Sequence, residues 1–171
     1  SLTMKISQKG LYALQAMMML ARHHHQGAIK IREIAYEEDL PEKFLELILL
    51  ELKNARMVES VRGAKGGYQL RRDPAEIRLS EIMRLIDGPL APFADAEQLR
   101  VLIGRDLPHR ALYQVFLDVR DAAAKILENT TLDDLISGTA SRSARGRGTA
   151  KTKGKDKSSV LPMVVGGQKV E

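Results

Sequence analysis

The sequence predicts a mainly α fold, on three observations. Apolar residues recur at three- and four-residue spacing along most of the first 138 residues, the rhythm of helices that each bury one face. One glycine-rich stretch, Ser60-Val61-Arg62-Gly63-Ala64-Lys65-Gly66-Gly67-Tyr68-Gln69-Leu70, interrupts that rhythm between two short alternating runs. From Pro108 to Asn129 a single apolar stripe continues without a helix breaker.

Leu11, Leu14, Met17, Met18 and Ala21 place a helix over residues 7–23, running into His23-His24-His25-Gln26-Gly27, where Gly27 is a stop signal. Ile31, Ile34 and Ala35 open a short second helix, about 31–37. Glu38-Asp39-Leu40 makes a tight connection. Pro41 suits the first turn of a third helix, where its missing N–H is no loss. Phe44, Leu45, Ile48, Leu49 and Leu52 carry this helix to about Ala55. Strands at Met57–Val61 and Tyr68–Arg71 then flank the glycine-rich loop as a hairpin. Leu79, Ile82, Met83 and Ile86 give a fourth helix closed by Gly88-Pro89. Residues 88–108 read as loop with a short helix near 95–103. The long helix follows, with Leu112, Val115, Phe116, Val119, Ala123, Ile126 and Leu127 on its stripe, and Thr131-Leu132-Asp133-Asp134 caps a last short helix ending near Ser137.

Helix, short helix, tight turn, longer helix and glycine-rich hairpin, in that order, make a winged helix-turn-helix. The organisation expected is residues 4–75 as that unit, 76–138 as linker helix, loop and dimerisation helix, and 139–171 as a disordered basic tail. The tail carries eight basic and two acidic residues, in a Ser/Thr/Gly-rich composition that cannot bury enough apolar area to order itself. It either raises nonspecific DNA affinity by counterion release or is a solvated extension. Residues 1–75 carry twelve basic and nine acidic residues, a weak positive bias. Ser1-Leu2-Thr3 precede Met4, which reads as the native start, and no signal or membrane-spanning pattern is present, so a cytoplasmic location is expected.

The helix-turn-helix suits duplex DNA, since its third helix fits the major groove and the wing reaches a neighbouring groove or the backbone. Gly63, Gly66 and Gly67 permit a turn with positive φ and close approach to a phosphate chain, with Arg62 and Lys65 at its tip. A plain glycine turn with two solvated bases is the bland alternative. A nucleotide phosphate loop is excluded: Lys65 precedes the glycine pair, Tyr68 follows it, and no helix opens there. No nucleophile–base pairing, HExxH or paired-carboxylate arrangement is present, so no enzymatic activity is expected.

The sequence resembles the Rrf-two (Rrf2) family of bacterial winged-helix regulators over about residues 4–138. Met4 to Ala13 resembles the family's opening, Ile34-Ala35 its scaffold helix and Phe44-Leu45-Glu46 its recognition helix. Ser60 to Leu70 resembles its wing almost residue for residue. Ser80-Glu81-Ile82 and Thr131-Leu132-Asp133-Asp134-Leu135 resemble its later helix starts. The resemblance implies a homodimer on a partly palindromic double-stranded DNA operator, acting as a repressor. It places Lys5, Ser7 and Lys9 near phosphates, Lys43, Phe44 and Leu47 on the recognition face, and Arg62 in a minor groove, with Gly63, Lys65 and Gly66 beside it. The dimer would form through Leu112, Val115, Phe116, Val119, Ile126 and Leu127, whose helix is also expected to pack on the first.

Leu47 departs from the polar residue that relatives carry. It either touches a thymine methyl or is partly buried, and the apolar run Leu47 to Leu50 motivates a competing reading, a protein-interaction module that has lost operator specificity. Many members hold an iron–sulfur cluster through three Cys in the loop before the long helix. Here that loop, about Pro89 to Arg110, has none, with Asp95 and Leu107 near the expected places, and the whole chain has no cysteine. Cluster iron needs thiolates, so no cofactor and no metal are expected; Asp95, Glu97, Asp106 and His109 match no ligand motif. A regulatory protein or small-molecule effector acting on the dimer is the expected control. Arg110 reads as a surface or loop-anchoring base, Met17-Met18-Met19 as core and dimer packing, and His23-His24-His25 as a solvated helix end, since three consecutive His cannot converge on one ion.

Overall fold

The computed structural model describes residues 6–89 and 96–139. The tail from residue 140, Lys5 and Asp95 lie outside the described residues. Among the described residues seven α-helices and one hairpin follow each other: α1 (Gln8–Arg22), α2 (Ile31–Glu37), α3 (Glu42–Asn54), β1 (Val58–Val61), β2 (Gly67–Leu70), α4 (Leu79–Asp87), α5 (Ala96–Arg105), α6 (Arg110–Glu128) and α7 (Leu132–Ile136).

The periodicity that predicted each helix is the periodicity that buries it. Ala13, Ala16, Met17 and Leu20 of α1 meet Leu45, Ile48, Leu49 and Leu52 of α3, with Ile34 of α2 and Val58 of β1, in one core. Ile77, Ile82 of α4 and Leu132 of α7 belong to the same core, because α4 and α7 both pack on α1. Backbone hydrogen bonds close this return: Leu79 N–H to the Thr130 carbonyl at 2.8 Å and Leu132 N–H to the Ile77 carbonyl at 3.0 Å, around a bridge of Arg78 to Thr131. Thr131 caps α7 by accepting from the Asp134 N–H, 3.1 Å away.

The first helix ends at Arg22, within a residue of the bound its spacing predicts; His23 caps it and the chain turns through His25 and Gly27, both at positive φ. Beyond this stop Ile29 exchanges two backbone hydrogen bonds with Tyr68, 2.8 and 2.7 Å, an isolated β-bridge beside the hairpin. His23 and His25 are exposed and His24 half-buried, at the rim of an open cleft of about 230 Å³ that Ile29, Gln69 and Arg71 also line. One expectation is corrected: within the chain α6 packs mainly on α5 and α4 rather than on α1. An ion pair of Arg84 with Glu128 at 2.6 Å and a hydrogen bond from Arg110 Nε to the Ile103 carbonyl at 2.9 Å hold it there.

Candidate nucleic-acid interface

Tight α2–α3 geometry comes first. Asp39, at φ 51°, turns the chain between the helices, and Leu40 N–H bonds the Ala35 carbonyl at 2.8 Å. With Leu45, Ile48, Leu49 and Leu52 all turned inward, the register of α3 forces Lys43, Leu47 and Leu50 outward. Leu47 is 60% exposed and Leu50 50%, so Leu47 is not partly buried. Phe44 stands at the edge of this face: its ring meets Tyr12 edge-on, centroids 5.7 Å apart, and is half-buried against α1.

The hairpin is antiparallel, with Val58 opposite Leu70 and Val61 opposite Gly67. Its glycines do different jobs. Gly63 and Gly67 take positive φ, 105° and 142°, while Gly66 does not. Gly66 is required for room: a Cβ there would strike the carbonyls of Val61 and Gly63. At Gly67 a Cβ would strike the Ile29 backbone, so Ile29 bridges to the hairpin only because this residue has no side chain. The outcome is a tight tip that presents Arg62 and Lys65, both exposed. Among the described residues no ion pair joins Arg62, Lys65 or Lys43 to an acid, so all three charges are available to phosphate.

The start of α1 is differently occupied. Ser7 accepts from the Gly10 N–H at 2.9 Å, and both its hydroxyl and its N–H donate to Asp87 of α4. Lys9 is paired with Glu51 of α3 at 2.6 Å. Neither side chain is free as the sequence suggested. Tyr36, 83% exposed near the α2–α3 turn, was not singled out from sequence, and Leu50 was noted only as the end of the apolar run that Leu47 opens.

Farther off, Asp106 precedes α6. Its carboxylate takes a hydrogen bond from His109 Nδ1 at 2.9 Å and one from the Tyr113 hydroxyl at 3.0 Å. The bond to His109 is the main cause that holds the Asp106 pKa below the usual carboxylate range, and the bond to Asp106 pushes the Tyr113 phenol up. Glu81 is also held low: burial alone would raise it, but hydrogen bonds from the Arg72 side chain and the Arg78 backbone outweigh that. On α6, Leu112, Val115, Val119 and Ile126 remain exposed, with Phe116 and Leu127 half-buried at their margin.

An outward-facing helix of a helix-turn-helix, beside a basic wing built on the same core, defines a winged-helix DNA-binding protein. The chain belongs to the Rrf2 family, described as an iron-dependent transcriptional regulator, whose profile matches residues 6–138. It is 39% identical over 134 residues to the HTH-type transcriptional regulator CymR of Bacillus subtilis, covering 78% of this chain and 91% of that one. The solved structure of CymR (YrzC), the global cysteine regulator of B. subtilis, superposes with a TM-score of 0.69 at 36% identity, over 80% of this chain and 99% of that one. IscR of T. potens superposes with a TM-score of 0.61 at 32% identity, over 78% and 87%. These relatives are transcriptional regulators, not enzymes, and this chain is a DNA-binding transcriptional regulator of their family. No helix among the described residues is long and apolar enough to cross a membrane.

The family description names iron, and the donor set of this chain does not fit an iron–sulfur cluster. There is no thiolate anywhere in it. Among the described residues no three His, Asp or Glu gather in a metal-holding group. Asp106 and His109 are spent on each other and on Tyr113.

Proposed function

We propose that the chain is a repressor that binds a partly palindromic operator as a homodimer and works without an iron–sulfur cluster. The observation that carries the DNA reading is the pairing of the exposed Lys43–Leu47–Leu50 face of α3 with the unpaired Arg62 and Lys65 of the wing. Residues 4–75 read the operator, with α3 in a major groove and Arg62 drawn to the negative potential of a narrow minor groove. Residues 76–138 support dimerisation through α6, whose exposed Leu112, Val115, Val119 and Ile126 run along one face and would cost solubility if left bare. Two copies then place two wings and two α3 helices on half-sites separated by about one helical turn or a multiple of it. Repression follows from occupancy, since a dimer spread over both half-sites excludes other proteins from that DNA. With no cluster ligands, the control signal is a protein partner or small molecule acting on the dimer.

Selection from a random DNA pool tests this. The expected product is a two-fold related sequence bound by a species with the sedimentation mass of a dimer. Recovery of no preferred sequence would favour the alternative, a winged-helix interaction module that the exposed leucines of α3 could serve.

A further inference from the structure

We infer that the recognition helix reads DNA through thymine methyl groups, with Leu47 and Leu50 as the specificity-determining residues. The inference rests on the DNA-binding reading above and deepens it by naming the chemistry of the half-site. Lys43, Leu47 and Leu50 lie four and three residues apart, so they form one outward line along α3. Core packing does not require the leucines there: Leu45, Ile48, Leu49 and Leu52 already fill the inner face, and Leu47 and Leu50 stay 60% and 50% exposed. Their neighbours on the solvent side are Lys43, Glu46, Lys53 and Asn54, all exposed, so the leucines are two isolated apolar points on a polar face.

A leucine has no donor or acceptor, and it cannot read the hydrogen-bond code of a base edge. The C5 methyl of thymine is the apolar group displayed in the major groove, and apolar contact is how a protein recognises it. Spacing is compatible with this chemistry. Three residues advance about 4.5 Å along a helix, and one base pair advances about 3.4 Å along a strand. Leu47 and Leu50 therefore meet methyls on successive or next-but-one base pairs. The neighbouring Lys43 and Lys65 hold the backbone and Arg62 its minor groove, so the leucines discriminate within an already anchored helix.

The test uses the full chain and the DNA selected from the random pool. Each thymine is replaced singly by deoxyuridine, which removes the methyl and leaves every hydrogen-bonding group. Wild-type affinity is expected to drop about fourfold at two neighbouring positions of each half-site, the change that follows from losing one buried methyl-sized group. Leu47→Ala should abolish the uracil effect at one of these positions and Leu50→Ala at the other, while Leu47→Gln, which keeps the side-chain length, should also abolish it. Both leucines are exposed, so circular dichroism of the variants should match wild type. Tight binding of the selected DNA that is indifferent to every uracil substitution would overturn methyl reading and leave operator binding intact. Failure to select any DNA would overturn both.

Discussion

The Lys9 ammonium lies 2.6 Å from a carboxylate oxygen of Glu51, tying the first turn of α1 to the third turn of α3. Lys9 is thus held by the recognition helix that it was expected to accompany onto DNA. Both side chains are partly exposed, so the pair itself contributes only about 0–1 kcal/mol to stability. Glu51→Gln should leave the melting temperature almost unchanged and bind operator more tightly, because it frees a cation and removes an acid near the phosphates. The slope of log K against log salt should steepen by about 0.9, the value for one added phosphate contact. An identical slope would make Lys9 an internal strut only.

The wing separates charge from shape. Arg62→Ala should weaken operator binding by about 1–3 kcal/mol, the range for a specific base contact, with an unchanged circular dichroism spectrum. Gly66→Ala adds a Cβ that strikes the Val61 and Gly63 carbonyls. It should distort the tip, displace Arg62 and Lys65 together, and reduce binding more than Arg62→Ala does. Equal affinity of Arg62→Ala and wild type would remove the wing from the interface.

Val115 is 55% exposed on α6, so Val115→Asp should leave the monomer fold intact. Covering a valine contributes about 1.5–3 kcal/mol, and two-fold symmetry counts it twice. The variant should sediment as a monomer at concentrations where wild type is a dimer. A dimer that survives the change would move the interface off this stripe.

The Asp106–Tyr113 hydrogen bond has a signed pH signature. The Tyr113 pKa is raised by Asp106, so its contribution is complete below the ordinary tyrosine value of about 10 and is lost as pH climbs through the folded value. The Asp106 pKa is lowered, mainly by His109, so its contribution is present above about 3.9 and is lost as pH falls through the folded value. In Asp106→Asn, spectrophotometric titration should show one tyrosine ionising at lower pH than in wild type. A superimposable curve would mean that the hydrogen bond is not kept in solution.

Iron should not matter. Protein purified anaerobically should be colourless, without stoichiometric iron or sulfide, and its operator affinity should be indifferent to oxygen, nitric oxide and chelators. Visible absorbance accompanied by stoichiometric iron and sulfide would show that non-thiolate ligands hold a cluster here.

Helix positions were legible because burial follows spacing. Leu45, Ile48, Leu49 and Leu52 of α3 announce their shared face before any coordinates, and the three wing glycines announce a turn. What stayed hidden depends on residues far apart in sequence. The bond from Ser7 to Asp87 spans 80 positions, and no local pattern foretells that this hydroxyl is occupied. The end of α1 was legible to within a residue, but the pairing of Ile29 with Tyr68 that follows it joins residues far apart in sequence and left no local signal. The exposure of Leu47 was undecided in the sequence, since an apolar residue next to an apolar face can turn either way until the partner helix is in place. The wing motif gave Arg62 and Lys65 correctly as tip residues, but the role of Gly66 is steric and appears only when the Val61 and Gly63 carbonyls are positioned around it.

The closure of Ile77 and Leu79 against Thr130 and Leu132 fastens both ends of the segment that contains α4, α5 and α6. A dimer built on α6 therefore behaves as a fixed-span ruler, with each reading head clamped to its own end. Such a ruler keeps helical phase: inserting half a turn of DNA between the half-sites turns the second one to the far side of the duplex, where neither head can follow.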